Sequence, residues 1–337
     1  MPLLLDTARA PARVDLQGLN CLTVGLVNNM PDAACEATER QFLDLLRAAA
    51  GTTIVRLKLF AIADVPRADE TRRALAARYR DLTELLDTPL DGLIVTGTEP
   101  RAPNLSDEPY WAALSRLIDW SRDNTSSTIW SCLAAHAAVL HADGIVRQPL
   151  EAKLSGVFAC EAAIDHPLLA GSGGRLKIPH SRLNDLPESA LRSAGYRVLS
   201  RSDAAGVDLF VKEQDETSMF VLFQGHPEYD ADSLLREYRR DVGRFLRGER
   251  TSYPQAPQHY FSSAAMLLVD DFRVRAINER RGDLVGDFPI ETLANGIENT
   301  WRDAAVGVYR NWINYLKDRK RDRKSLALIE DDRRVPA

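Results

Sequence analysis

Residues 126–144 read SSTIWSCLAAHAAVLHADG, and the order of residue types within them decides the fold. The β-branched and aromatic run up to Ser131 has the composition of a short buried strand. Leu133 to Asp143 is rich in Ala and Leu and stops at Gly144, the signature of a helix with a glycine terminator. Cys132 stands at the junction. A sharp strand-to-helix turn holds a side chain out of the sheet, and the helix N-terminus stabilises a thiolate there. Backbone N–H groups at such a turn can bind a developing oxyanion, and Ala134 and Ala135 permit close approach. Taken alone, a Cys in an apolar run is more often a buried structural residue.

The flanking sequence repeats the strand–helix alternation. CLTVGLVNN, TTIVRLKLFAI and DGLIVTG read as strands. ACEATERQFLDLLRAAAG, DETRRALAARYRDLTELL and SDEPYWAALSRLIDWSRD read as helices, the last with a Ser cap and Pro109 in its first turn. This alternation predicts an α/β fold, a mostly parallel sheet with helices on both faces. Further on, KLSGVFACEA, YRVLSRS, VDLFVKE and MFVLFQG crowd together as strands and predict an antiparallel extension of the same sheet. DADSLLREYRRDVGRFLRG follows as a helix, with Asp230 or Asp232 as its cap. The expected organisation is an N-terminal arm (1–19), a catalytic domain (20–250), an irregular insertion (251–298), a C-terminal helix (299–320) and a frayed tail (321–337). The C-terminal helix would turn Trp301, Val308, Trp312 and Tyr315 to one side.

Composition excludes several classes. The 337 residues carry 43 Lys and Arg against 48 Asp and Glu, a net charge of -5, so the whole chain is no electrostatic nucleic-acid binder. The basic run KDRKRDRK is interrupted by Asp318 and Asp322 and reads as a solvated helix end. No apolar run approaches the ~18 residues of a membrane span, and the N-terminus lacks the charged and apolar regions of a secretion signal. Cys21, Cys35, Cys132 and Cys160 show no CxxC spacing, so neither a metal site nor a disulfide framework is expected. The chain reads as a reduced, cytoplasmic protein.

FQGHPEYD (223–230) supplies what a nucleophilic Cys132 would need. His226 follows an apolar strand, and Glu228 stands two residues on with Pro227 restricting the chain between them. A thiol nucleophile requires a base within hydrogen-bond reach, and the base an orienting carboxylate. In an open α/β sheet, strand ends are where ligands bind.

The elbow together with GHPE resembles the class I glutamine amidotransferase superfamily, whose sheet is flavodoxin-like. The longer match resembles the homoserine O-succinyltransferases and O-acetyltransferases of methionine biosynthesis. It is carried by LVNNMPDAACEATERQFLDLL, DGLIVTGTEP, the segment around Cys132, EAKLSGVF, PHSRLNDLP, GHPEYDADSLLREYRRD and NTWRDAAVGVYRNWINYL, in the family's order over most of residues 20–318. The resemblance implies ping-pong acyl transfer from acyl-CoA to the hydroxyl of homoserine, with Cys132 acylated, His226 as base and Glu228 orienting it. It also implies substrate contacts at Lys153, Ser181 and Arg240. Arg240 suits bidentate carboxylate binding and Lys153 a phosphate or carboxylate as a point charge. No bound cofactor is implied; acyl-CoA is a co-substrate.

Three features depart from the family. The family's Trp and Gln after the nucleophile are replaced by Leu133 and His136, and His136 is read as lining the pocket wall. The loop position associated with donor choice falls on Arg101, neither the glutamate that goes with acetyl-CoA nor the glycine that goes with succinyl-CoA. Its charge favours a donor with its own carboxylate, hence succinyl. The segment between GHPEYD and NTW is longer than the family's, and SSAAMLLVDDFRVRAINERRGDLVGDF is expected to add a helix at a homodimer interface or over the active site. Two other readings stay open: serine or a related hydroxy amino acid as acceptor, and a glutaminase subunit. Against the latter, the elbow lacks the Gly-x-Cys-x-Gly pattern of glutaminases.

Overall fold

In the computed structural model, which describes residues 3–9, 21–213 and 217–334, a single sheet carries every named strand. Its parallel half comprises β1 (Leu3–Asp6), β2 (Cys21–Val27), β3 (Ile54–Phe60), β4 (Gly92–Val95), β5 (Ser127–Ser131) and β10 (Met219–Phe223). The antiparallel half comprises β6 (Gln148–Ala162), β7 (Arg175–Asp185), β8 (Arg197–Ser202) and β9 (Gly206–Lys212). The spatial order is β1-β3-β2-β4-β5-β10-β9-β8-β6-β7. β10 is the seam, running parallel to β5 and antiparallel to β9. The four central strands are buried along nearly their whole length because both faces are covered, and β5 keeps its Ser127, Thr128 and Ser131 buried among them.

One face is covered by α1 (Asp32–Ala49) and α10 (Arg302–Arg334), with Phe42, Leu45, Tyr309 and Trp312 packed on Leu22, Leu26 and Val221. The other carries α3 (Leu82–Leu86), α4 (Trp111–Asn124), α5 (Leu133–Asp143) and α6 (Glu188–Ser193) over Val95, Trp130 and Leu222. A satellite core joins α7 (Ser233–Leu246), α8 (Ser263–Glu279) and α9 (Ile290–Ala294) through Tyr238, Phe272 and Phe288. No helix among the described residues is long and apolar enough to cross a membrane.

Several local expectations are corrected. The charged helix after β3 is broken into α2 (Asp69–Ala76) and α3, because Arg80 leaves the helix to bridge Phe60 and pair with Asp6 at 2.6 Å. α4 begins at Trp111 without a side-chain cap; Ser106 lies in a short 3-10 turn, and Glu108 instead accepts the backbone N–H groups of Arg101 and Ala102. Asp232 does occupy the cap position of α7, with no side-chain cap bond. Asp230 instead pairs with Arg40 and Arg236. β7 was hidden in the sequence by Pro179, which is tolerated because β7 is the last strand of the sheet. Leu3–Asp6 of the expected arm adds an edge strand beside β3, while residues 10–19 lie outside the described ones. The 251–298 stretch is irregular only at its start and contains α8 and α9. α10 runs to Arg334 where a frayed tail was expected, and residues 335–337 lie outside the described ones.

Candidate active site

The register of β5 against β10 assembles the site. Ser131 pairs with Phe223, so the two strands end side by side and the residues after them emerge together. The Cys132 N–H donates to the Phe223 carbonyl at 2.7 Å, and the Cys132 carbonyl receives the N–H groups of Ala135 and His136 at 3.0 and 3.2 Å. One residue thereby closes the sheet and opens α5. It does so at φ 52°, ψ -111°, a backbone conformation that L-residues adopt only under strain. Burial of Cys21, Cys35 and Cys160 contrasts with the half-buried Cys132, and all four are free thiols.

The loop after β4 lies against this elbow. A Cβ at Gly97 would meet Leu133 Cβ at 2.9 Å and Leu133 N at 3.0 Å. The Leu133 amide belongs to the first turn of α5, whose N–H groups have no carbonyl within the helix to bind and can serve an oxyanion. Gly97→Ala is therefore expected to keep the fold and lower kcat about 100-fold by crowding that amide, as removal of one oxyanion donor does. A steady-state assay beside a circular-dichroism spectrum checks this; unchanged kcat would show that the amide is not used.

His226 is delivered by a second close approach. After β10, Gln224 N–H bonds the Asp208 carbonyl at 2.8 Å and His226 N–H bonds the Pro179 carbonyl at 2.7 Å. Between them Gly225 is pressed on β7 and β9, where a Cβ would lie 2.4 Å from Ile178 Cγ2 and 2.6 Å from Asp208 Oδ1. The imidazole is buried, with Nδ1 2.9 Å from Glu228 Oε1, and stacks on Tyr229 at 4.2 Å between centroids. The Cys132 side chain lies near enough to act on it as well. Burial disfavours the imidazolium, but the charges of Cys132 and Glu228 outweigh it and raise His226 well above 6.5. Glu228 Oε1 also accepts from Ser131 Oγ at 3.3 Å. Among the described residues Glu228 Oε2 is buried without a hydrogen-bond partner, as is the Tyr309 hydroxyl of α10, which feels the same carboxylate. The structure thus brings Cys132, His226 and Glu228 into one constellation, a thiol, an imidazole and a carboxylate.

The constellation opens into a cavity of about 950 Å³, at the upper end of small-molecule sites. Its opposite wall is a partly buried charge network. Lys153 of β6 lies 3.2 Å from Glu237 and 2.9 Å from Asp241, both on α7. Glu237 also accepts from Ser181 Oγ of β7 and from the Tyr229 hydroxyl at 2.6 Å. Arg240 holds Asp241 at 3.1 Å while its side chain stays 45% exposed, free enough to take a further anion. Burial alone would raise the Glu237 carboxyl, but Lys153, Ser181, Tyr229 and Arg240 bring it down to about 2. Tyr229 touches both His226 and Glu237 and so ties the two walls together.

Lys153, Ser181 and Arg240 all line this cavity, as do Cys132, His226 and Glu228. Arg101 does not. Its side chain is exposed and absent from the lining, whereas Glu99 reaches the cavity and pairs with Arg244 at 3.0 Å. The anchoring of the Arg101 and Ala102 amides by Glu108 fixes the loop in that register. Sequence reasoning missed Glu237, Asp241 and Tyr229. A signal existed: Glu237, Arg240, Asp241 and Arg244 recur at helical spacing and make a charged stripe along α7. Residues 251–255 also line the cavity, and Gln258 bridges Gly156, so the start of the long segment covers the site's edge.

His136 lines the wall, fully buried. Gln224 Nε2 donates to Asp185 Oδ1 and the Val207 carbonyl, which leaves Gln224 Oε1 to accept from His136 Nε2–H at 2.9 Å. Burial lowers His136 to about 3, so it is neutral in the folded protein. Between pH 6.5 and 3 the unfolded chain binds a proton that the folded one does not, and stability falls as pH drops through that window. His136→Gln is expected to remove this term, lessening the loss between pH 7 and pH 4 by about 3 kcal/mol. Urea unfolding at the two pH values measures it; equal losses in both proteins would refute the neutral histidine.

Comparison with known proteins converges on one family. The profile of the homoserine O-succinyltransferase family matches residues 7–322. A homoserine O-succinyltransferase of Rhodopseudomonas palustris is 50% identical over 292 residues, 87% of each chain. One of Methylorubrum extorquens is 49% identical over 300 residues, 88% of each chain. A solved glutamine amidotransferase of Thermotoga maritima matches with a TM-score of 0.51 at 11% identity, covering 88% of this chain and 98% of that one, a likeness of fold alone. A thiol elbow backed by a histidine and a carboxylate on an amidotransferase-like sheet, with sequence agreement along nearly the whole length, has one conclusion: the chain is an acyltransferase and belongs to the homoserine O-succinyltransferase family.

Proposed function

We propose that the chain moves the succinyl group of succinyl-CoA to the hydroxyl of homoserine in two half-reactions through a thioester at Cys132. The observation that carries this reading is the meeting of Cys132, His226 and Glu228 in a cavity whose opposite wall carries Glu237 and Arg240. In the first half-reaction Cys132 Sγ attacks the thioester carbon, the Sγ–C bond forms and the CoA sulfur leaves, taking the proton of the His226 imidazolium. In the second, neutral His226 accepts the homoserine hydroxyl proton, the oxygen bonds the acyl carbon, and the Cys132 thiolate departs. Each half-reaction restores the proton the other moved.

Glu237 and Arg240 give the acceptor its orientation. A carboxylate held ionised in a buried site suits the α-ammonium group, and the half-exposed guanidinium suits the α-carboxylate. Lys153 and Ser181 fix Glu237 in place. CoA thiol release decides the matter, with succinyl-CoA or acetyl-CoA offered alongside homoserine, serine or no acceptor. Release from succinyl-CoA that requires homoserine is expected. Release that follows serine instead would reassign the acceptor, and ammonia release from glutamine without CoA release would replace the reading with a glutaminase.

A further inference from the structure

The cavity holds more positive charge than an amino-acid acceptor uses, and most of it is spoken for. Lys153 faces Glu237 and Asp241, Arg182 faces Asp185 and two carbonyls, and Arg244 faces Glu99 and Asp241. Arg147 differs. It sits between α5 and β6, half-buried, and lines the cavity on the wall formed by Cys132, Leu133 and His136. Among the described residues no hydrogen bond or ion pair within 4.0 Å engages its guanidinium. Burial lowers its guanidinium, and the groups near enough to act on it electrostatically are Tyr110, Glu108 and Cys132. Glu108 gives its Oε1 to the Arg101 and Ala102 amides, and its Oε2 is buried with no hydrogen-bond partner among the described residues, so Glu108 acts on Arg147 through its charge without closing a contact with the guanidinium.

An unpaired guanidinium beside a nucleophile is costly to keep unless a ligand completes it. An acyl group tethered at Cys132 that ends in a carboxylate would do so. Its two methylenes would follow the apolar wall past Leu133, and its charged end would meet a planar fork of donors. We propose that Arg147 selects the donor by receiving the distal carboxylate of the succinyl group, an inference that rests on the acyl-transfer reading above. It takes the role the sequence had suggested for Arg101, which lies outside the cavity.

The test compares acylation of Cys132 by succinyl-CoA and by butyryl-CoA, which has the same chain length and no distal charge. Rates are read by intact-protein mass spectrometry in the absence of acceptor. Arg147→Met is expected to slow succinylation about 100-fold, the loss typical when one partner of a desolvated charge pair is truncated, and to leave butyrylation within about threefold. Arg147→Lys should recover part of the preference, and Arg101→Ala should leave it unchanged. Free succinate should protect Cys132 from alkylation in the parent chain and fail to do so in Arg147→Met. Equal slowing with both donors, or an unchanged preference, overturns the inference. So does a preference lost in Arg101→Ala and kept in Arg147→Met. A parent chain that succinyl-CoA does not acylate fails before any substitution is made, and removes the acyl-transfer reading together with the inference.

Discussion

Cys132→Ala is expected to abolish turnover with every acyl donor while leaving the protein folded. The effect is large because no other cavity-lining residue among the described ones offers a thiol, and Cys21, Cys35 and Cys160 are buried elsewhere. Removal of a catalytic nucleophile costs about six orders of magnitude in comparable covalent enzymes. The fold should tolerate it because the backbone, not the side chain, ties the elbow to Phe223 and to α5. The strain at φ 52° is shared by Cys and Ala but not by Gly. Cys132→Gly should therefore be equally inactive yet more stable than Cys132→Ala by about 1 kcal/mol. CoA release, intact-mass detection of acyl-enzyme and thermal unfolding of both variants give the three readouts. Turnover within tenfold of the parent in Cys132→Ala would remove the thioester from the mechanism. A glycine variant no more stable than the alanine variant would remove strain from the account of the elbow.

The parallel half of the fold was legible because period and punctuation agree there: buried β-branched runs alternate with helical ones, and Gly51, Gly92, Gly97 and Gly144 mark the joints. The antiparallel half was legible only in part. β7 alternates charged with apolar residues at its start as a half-buried strand does, but it carries Pro179, which speaks against a strand unless it is known to lie at the edge. The broken helix after β3 depended on Arg80 finding Asp6, a partner on a strand that the sequence presents only as a short apolar patch. For the site, chemistry written in consecutive residues could be read, as in the Cys132 junction and the His226–Glu228 pair. Chemistry that depends on where loops run could not. Whether Arg101 or Arg147 faces the cavity is decided by Glu108 pinning two amides, and whether Lys153 is free is decided by α7 crossing β6 and β7. Those are facts of tertiary contact, and no local pattern encodes them.

Glu228→Gln should lower kcat by roughly 10² to 10⁴, the range spanned by general-base assistance and by loss of the triad carboxylate, and should move the titration of His226 to lower pH. In the parent chain Glu228 Oε1 receives His226 Nδ1 and Ser131 Oγ, which fixes the ring so that its other nitrogen serves Cys132. Glutamine keeps the shape and removes the charge. Its carbonyl can still accept one of those hydrogens, but its amide must then point into a site where Glu228 Oε2 already lacks a partner. The imidazolium loses one of the two anions that outweigh its burial, so the proton leaves earlier. Because the folded value is raised in the parent chain, the stability it contributes is fully present below about pH 6.5 and is lost as pH rises through the folded value. The parent should therefore exceed Glu228→Gln in stability most at the acid end of that range, and the gap should close on the alkaline side. NMR titration of the His226 ring, with kcat followed over the same range, separates this from a packing defect, which would lower stability equally at every pH. An unmoved titration with kcat within tenfold would mean that Glu228 neither charges nor orients the base, and would leave the raised imidazolium to Cys132 alone.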